Sequence, residues 1–359
     1  MAESTEQNNP NVEASTDQGN ANIEAPTGQV DQNTEQATGP THVNVEVDRE
    51  ATDNDSTYGR ELSTYTASLT SSVLNYRHEN GRTYHGYRDG TYLLPNDEDE
   101  KDRLDMLHEM MMVLLDRKLF RAPIKSPRRV IDLGTGTGIW AIQFADEFPA
   151  AEVIGTDLSP IQPTLVPPNC KFLIDDMEDD WVDDQPFDYI HGRYLACSIK
   201  NYPRLLKQCY KHTAPGGWVE MQDWDLRIYS EDGSTKGTSI QQYYDYVLPA
   251  FERTGVVVYP GPSLEKWFRE AGFVDIHVEK YRVPLGTWPK DPYYKTLGTW
   301  NLLQAESGFE ASAMAVLTRH ENWKPEEVTV LSAKALNDAR DRKIHSLFDF
   351  YVVYGRKPE

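Results

Sequence analysis

Apolar residues first fall into a sustained register between Asp97 and Phe120, where Leu104, Leu107, Met111, Leu114 and Leu115 recur three or four positions apart behind Asn96 and Asp97. That spacing predicts a helix with one buried stripe, begun by an Asn/Asp cap and with its methionines packed in a core. Downstream the period switches back and forth. RRVIDLG predicts a strand, TGIWAIQFADEF a helix, AEVIGTDLS, NCKFLIDD and FDYIHGR three further strands, YPRLLKQCYKHT a helix and GGWVEMQDWD a strand. Strands alternating with helices imply an α/β fold, a parallel sheet covered on both faces. Beyond residue 230 helical patterns dominate, in SIQQYYDYVLPAFERTG, GPSLEKWFREAGF, DPYYKTLGTWNLLQAES and KPEEVTVLSAKALNDARDR. VDIHVEKYRVPLG and the closing IHSLFDFYVVYGRK read as strands.

The pattern fails in residues 1–57, which hold no aromatic residue and a dozen acids against one Arg49. Such a segment buries too little apolar area to offset chain entropy and is expected to be a disordered acidic tail. Aromatics begin at Tyr58, so the folded part is expected over 58–359. It divides into an N-terminal lid and helix (58–125), a cofactor-binding core (126–230) and a helix-rich substrate or partner region with the last strands (231–359). A net charge of -21 argues against direct contact with nucleic acid or an anionic membrane surface. Cys170, Cys197 and Cys209 stand apart without a CxxC, which points to a reduced, intracellular protein with no thiolate metal site. Neither a secretory signal in MAESTEQNNP nor a bilayer-length apolar run is visible.

Chemistry concentrates where DLGTGTG joins the first core strand to its helix, placing Gly134, Gly136 and Gly138 behind Asp132. A glycine turn at a helix N-terminus forms a cradle of backbone N–H groups that a ligand can approach closely. Dinucleotide sites ask for G-x-G-x-x-G, whereas this turn is G-x-G-x-G. Asp157 ends the next strand, where a carboxylate can accept both hydroxyls of a ribose. At the end of the third strand Asp176, ahead of Asp175 by strand alternation, can take an adenine amine, with the Met177 N–H on a ring nitrogen. No Arg or Lys lies in the glycine turn or beside Asp157 to meet a pyrophosphate, so a sulfonium donor, S-adenosyl-L-methionine, suits the site better than NAD.

In order, DLGTGTG, VIGTDLS, FLIDDME, FDYIHGR and APGGWVEMQD over residues 129–225 resemble the class I S-adenosylmethionine-dependent methyltransferases. That resemblance implies a seven-stranded, mostly parallel Rossmann-like sheet with an antiparallel last strand. ENGRTYHGYRDGTYLLPNDEDEKDRLDMLHEM, LSPIQPTLVPPNCKF and FDYIHGR further resemble the fungal LaeA-like methyltransferases over about residues 75–357. This narrower likeness implies a role in fungal secondary metabolism, either as a biosynthetic enzyme or as a regulator partnering velvet-type proteins. The methyl acceptor is then a small natural-product intermediate or a protein, and the compartment nucleus or cytoplasm. The alternative output is a scaffold that acts through velvet-type complexes.

Within this frame His191, closing its strand, is the candidate general base, with a mere donor contact as the competing role. Asp132 is expected at the donor's amino-acid end, and Tyr84 and His85 in a lid touching its methionyl end. Arg193 is open between a carboxylate contact and a surface ion pair, and Glu220, Gln222 and Asp223 are candidates for an acceptor pocket. Trp181 is expected to anchor the acidic loop or cover the adenine face. Holding nucleophile, methyl and sulfur in line needs no metal.

Overall fold

The computed structural model describes residues 73–182 and 184–359; the expected tail 1–57 and its boundary at Tyr58 lie outside the described residues. Seven strands form the central sheet: β3 (Arg129–Leu133), β4 (Glu152–Asp157), β5 (Cys170–Ile174), β6 (Phe187–Arg193), β7 (Thr213–Tyr229), β8 (Val274–Pro284) and β9 (Leu347–Arg356). Their order is β5-β4-β3-β6-β7-β9-β8, the first five being parallel, while β9 runs antiparallel between β7 and β8. This is the expected seven-stranded sheet with an antiparallel last strand. β3 and β6 are almost wholly buried, as strands covered on both faces must be. β8 forms one edge, and its Asp, Glu, Lys and Arg residues keep that edge soluble.

Side-chain alternation divides the core. Val130 and Tyr189 face α2 (Ile139–Glu147) through Trp140 and Phe144. Ile131, Leu133 and Ile190 face the opposite way, toward α3 (Tyr202–His212) and α5 (Leu264–Ala271) through Tyr202, Leu206 and Phe268. A third cluster joins the remaining helices to the C-terminal strands. It includes Met110 and Met111 of α1 (Glu98–Leu114), Tyr243 of α4 (Ser239–Arg253), Phe309 of α6 (Pro292–His320), Val328 of α7 (Pro325–Arg340), and Phe348 and Phe350. The methionine stripe is core. At the start of α1 the Asp97 carboxylate accepts the Glu100 N–H at 3.1 Å, a side-chain N-cap.

Two local features depart from the sequence pattern. Ahead of α1, β1 (Arg77–Glu79) and β2 (Arg82–Tyr84) pair as a hairpin turned by Asn80 and Gly81, both at positive φ (50° and 77°). α6 continues through Gly308, well past the Ser307 at which the helical pattern fades. A Cβ at Gly308 would stand 3.0 Å from Gln304 Oε1 and 3.3 Å from Arg103 Cδ, so the missing side chain is what lets α1 and its arginine pack there.

Candidate functional site

At the carboxyl ends of β3, β4, β5 and β6 lies a cavity of about 410 Å³. From β3 the chain steps outward to β4 and β5, then returns to β6 on β3's other side, and open α/β sheets place ligands at such a reversal. Among the expected residues Asp132, Gly134, Gly136, Asp157, Asp176, Met177 and His191 line it; Gly138, Tyr84 and His85 do not.

The glycine loop has the strained geometry its composition requires. Gly134, Gly136 and Gly138 all adopt positive φ (64°, 57° and 80°). A Cβ on Gly134 would come within 2.8 Å of Leu195 Cδ2 at the cavity wall. One on Gly138 would enter the Phe172 ring at 2.4 Å, so that glycine serves helix-to-strand packing rather than a ligand. The Gly136 N–H donates to Asp157 Oδ2 at 2.8 Å, and the Ser159 N–H to Oδ1 at 2.9 Å. Each carboxylate oxygen therefore keeps acceptor capacity. Burial lifts the Asp157 pKa to about 6, opposed by those N–H groups.

Strand register builds the next pair. Asp132 and His191 are direct neighbours across the β3–β6 ladder, and His191 Nδ1 meets Asp132 Oδ1 at 2.7 Å. The other Asp132 oxygen accepts the Thr135 hydroxyl at 2.6 Å. Trp140 stacks flat on the imidazole, with centroids 3.8 Å apart and planes 4° from parallel. With Nδ1 donating to the carboxylate, the lone pair of a neutral imidazole lies on Nε2. That nitrogen is buried and has no hydrogen-bond partner among the described residues, and His191 itself is one of the residues lining the cavity.

Two arginines also border the cavity: Arg193, left open in the sequence between a carboxylate contact and a surface ion pair, and Arg88, which the sequence did not single out. Arg88 is neutralised by Asp176, at 2.6 Å, and by Asp179. Arg193 is different. It is held at 2.8 Å from His108 Nδ1, while His108 Nε2 meets Gln143 Oε1 at 3.1 Å. Burial and the adjacent Arg193 push the His108 pKa down to about 3, so this partner is neutral. Arg193 forms no ion pair among the described residues, its Nη1 is buried and unpartnered, and desolvation lowers its pKa. A buried cation of this kind invites an anionic group on a ligand. The absence of nearby basic residues in the sequence therefore does not carry into three dimensions. The lining nevertheless remains acidic, with Asp132, Asp157, Asp175, Asp176 and Glu178 against Arg88, Arg193 and Lys200.

Several expected roles fall elsewhere. His85 is a buried staple, its Nδ1 2.6 Å from Tyr87 O and its Nε2 accepting the Tyr92 N–H at 3.1 Å. Tyr84 is buried beneath Arg319, 4.4 Å from its ring centroid. Their segment reaches the cavity through Arg88, Thr91 and Tyr92 instead. Glu220 accepts the N–H groups of Arg121 and Ala122 and the Tyr189 hydroxyl, and Gln222 donates to Glu220. Asp223 accepts from the Leu195 N–H and the Tyr202 hydroxyl. All three are buried anchors of neighbouring loops rather than cavity-lining groups. Trp181 bonds Met177 O at 3.0 Å and packs edge-on to Phe187, anchoring the acidic loop.

A family profile described as a methyltransferase domain matches residues 106–278. "Methyltransferase pytC" of Aspergillus terreus is 44% identical over 318 residues, covering 88% of this chain and 95% of that protein. "Secondary metabolism regulator laeA" of Aspergillus fumigatus is 36% identical over 284 residues, 78% of this chain and 76% of that one. "Protein-methionine methyltransferase laeA" of Emericella nidulans is 34% identical over 295 residues, covering 81% and 79%.

Proposed function

This chain belongs to the methyltransferase family that includes pytC and the laeA proteins, and from that premise we propose how its cavity works. S-adenosyl-L-methionine, when bound, supplies a methyl group already activated by a sulfonium. The residues present fit that donor. Asp157, bonded to the Gly136 N–H within the cavity, is the observation that carries the reading: a buried carboxylate at the tip of β4 with acceptor capacity left on both oxygens. It receives the ribose hydroxyls, with the backbone of Gly134 and Gly136 alongside. In this reading Asp176 and Met177, both lining the cavity, meet the adenine, and Arg193 takes the methionyl carboxylate through its unpartnered Nη1. The carboxylates of the lining favour the sulfonium and ammonium charges and disfavour a pyrophosphate.

Catalysis by this chain is then largely positioning, with the fixed loop and strand tips setting the line of approach. His191 Nε2 accepts the acceptor's proton, Asp132 fixing the tautomer and Trp140 the ring plane. The names of the relatives support secondary metabolism as the setting. Within it the acceptor is a small molecule or a protein, and a regulatory branch working through velvet-type complexes rests on the resemblance of the motifs. The test is mass spectrometry of a fungal extract and of candidate partner proteins incubated with deuterated donor. A mass gain present with the wild type and absent with Asp157→Ala supports the reading; no gain with either, or an equal gain with both, refutes it.

A further inference from the structure

A second cavity, of about 180 Å³, lies beyond the first, and Tyr92, Leu104 and Tyr194 line both. Its walls come from α1, α4, α6 and the end of β7, inside the third core cluster. Tyr243, Leu248, Phe251, Phe309 and Phe348 are all buried, yet they leave this space unfilled. Protein interiors are close-packed, and about 150 Å³ of apolar cavity suffices for a benzene ring. A void of this size beside a ligand cavity is therefore a site rather than a packing defect.

Its chemistry selects the occupant. Arg103 is bidentate to Glu100, at 2.8 and 2.5 Å, and donates to Gln304 Oε1 at 3.2 Å. Gln304 donates to Asn301 at 2.9 Å, and Asn301 to Pro284 O at 2.9 Å. This polar seam is neutral and internally satisfied, leaving no charge to match an ionic ligand. By contrast, Tyr92 and Tyr244, two phenols outside that seam, also line the cavity and match an oxygen-bearing ligand. Rings and aliphatic side chains share the remaining wall, with Tyr243 and Phe309 centroids 4.8 Å apart and Tyr194 lying over Trp224 at 6.1 Å, 12° from parallel. Buried apolar walls of this kind suit a flat ring system and exclude a peptide backbone, whose N–H and C=O groups would go unmet.

We propose that this chamber binds the methyl acceptor, and that the acceptor is a neutral, oxygen-substituted aromatic small molecule. The assignment rests on the donor reading of the adjoining cavity and narrows it. Calorimetry with 2-naphthol as the probe and S-adenosylhomocysteine as the donor-site reporter tests both. Ala305, on α6 and buried in the chamber wall, is the place to fill it. Ala305→Phe is expected to weaken 2-naphthol about tenfold or more while leaving S-adenosylhomocysteine within about twofold, and Asp157→Ala to do the reverse. Should thermal melting show Ala305→Phe unfolded, Ser312→Leu from the same wall replaces it. Unchanged naphthol affinity in the filled variant, loss of naphthol with Asp157→Ala, or no naphthol binding to the wild type overturns the chamber. Absence of S-adenosylhomocysteine binding with the naphthol pattern intact overturns the donor reading alone.

Discussion

Lowering the pH from 7 to 5 is expected to weaken donor binding about tenfold through a single carboxyl group, Asp157, whose pKa burial raises to about 6. At pH 7 about nine-tenths of the free protein then carries the carboxylate, and at pH 5 about one-tenth. A ribose diol donates two hydrogen bonds, and a protonated carboxyl spends one oxygen as a donor. The competent population therefore falls about tenfold, or about 1.4 kcal/mol in apparent binding free energy. Asp157 itself does not drive loss of fold over this range. Because the folded value lies above the ordinary 3.8, acid uptake between the two relieves a burial cost, so this group adds stability as the pH falls through that window. Titration with S-adenosylhomocysteine from pH 5 to 8 at constant salt reads the effect, and Asp157→Asn should bind weakly with no slope near pH 6. Asp223 is also raised to about 6 by burial but lies outside the cavity, so Asp223→Asn should keep the wild-type slope. A flat wild-type profile, or an equal slope in Asp157→Asn, refutes the reasoning.

Arg193→Ala should cost donor affinity about 1.5–3 kcal/mol, the worth of a hydrogen bond to a charged group, and Arg193→Lys should recover little because an ammonium cannot hold His108 with one nitrogen and present a second to the ligand; calorimetry with S-adenosylhomocysteine measures both. His191→Gln should lower turnover by about 10²–10⁴ while leaving S-adenosylhomocysteine affinity within a few-fold, and a parallel fall in affinity would make His191 a donor contact instead. Glu220→Leu should destabilise the fold by about 3 kcal/mol or more in urea, since it strands the buried Ala122 N–H and Tyr189 hydroxyl and the half-buried Arg121 N–H, with donor affinity per folded molecule unchanged.

The sheet was legible because its signals are local. A strand buried on both faces, such as VIDL in β3, reads as an apolar run whatever its neighbours do. Elements decided by a partner were harder. Gly308 interrupts the helical pattern of α6 because its missing side chain leaves room for Arg103 of α1, a reason about 200 residues away in the chain. The Asn80-Gly81 hairpin is a separate case, since the two-residue signal was present and lay hidden in a stretch rich in aromatic and charged residues.

The same division explains the site. Asp132, Asp157 and His191 end parallel strands, and topology alone delivers such residues to the crevice, the β3–β6 register then setting Asp132 beside His191. Glu220 and Gln222 likewise sit on a parallel strand, opposite His191 and Arg193 of β6, with Asp223 one residue beyond, but their polar groups are taken up by the 119–122 and 195–196 loops before any cavity. Charge is the least local property of all. Arg88 and Arg193 look alike in sequence, yet the first spends its charge on Asp176 and Asp179 and the second meets a histidine kept neutral by burial. Counting basic residues near a motif cannot separate them; the 85-residue separation between Arg193 and His108 can be closed only by the fold, and that closure sets Arg193 against a neutral partner while its Nη1 stays without one among the described residues.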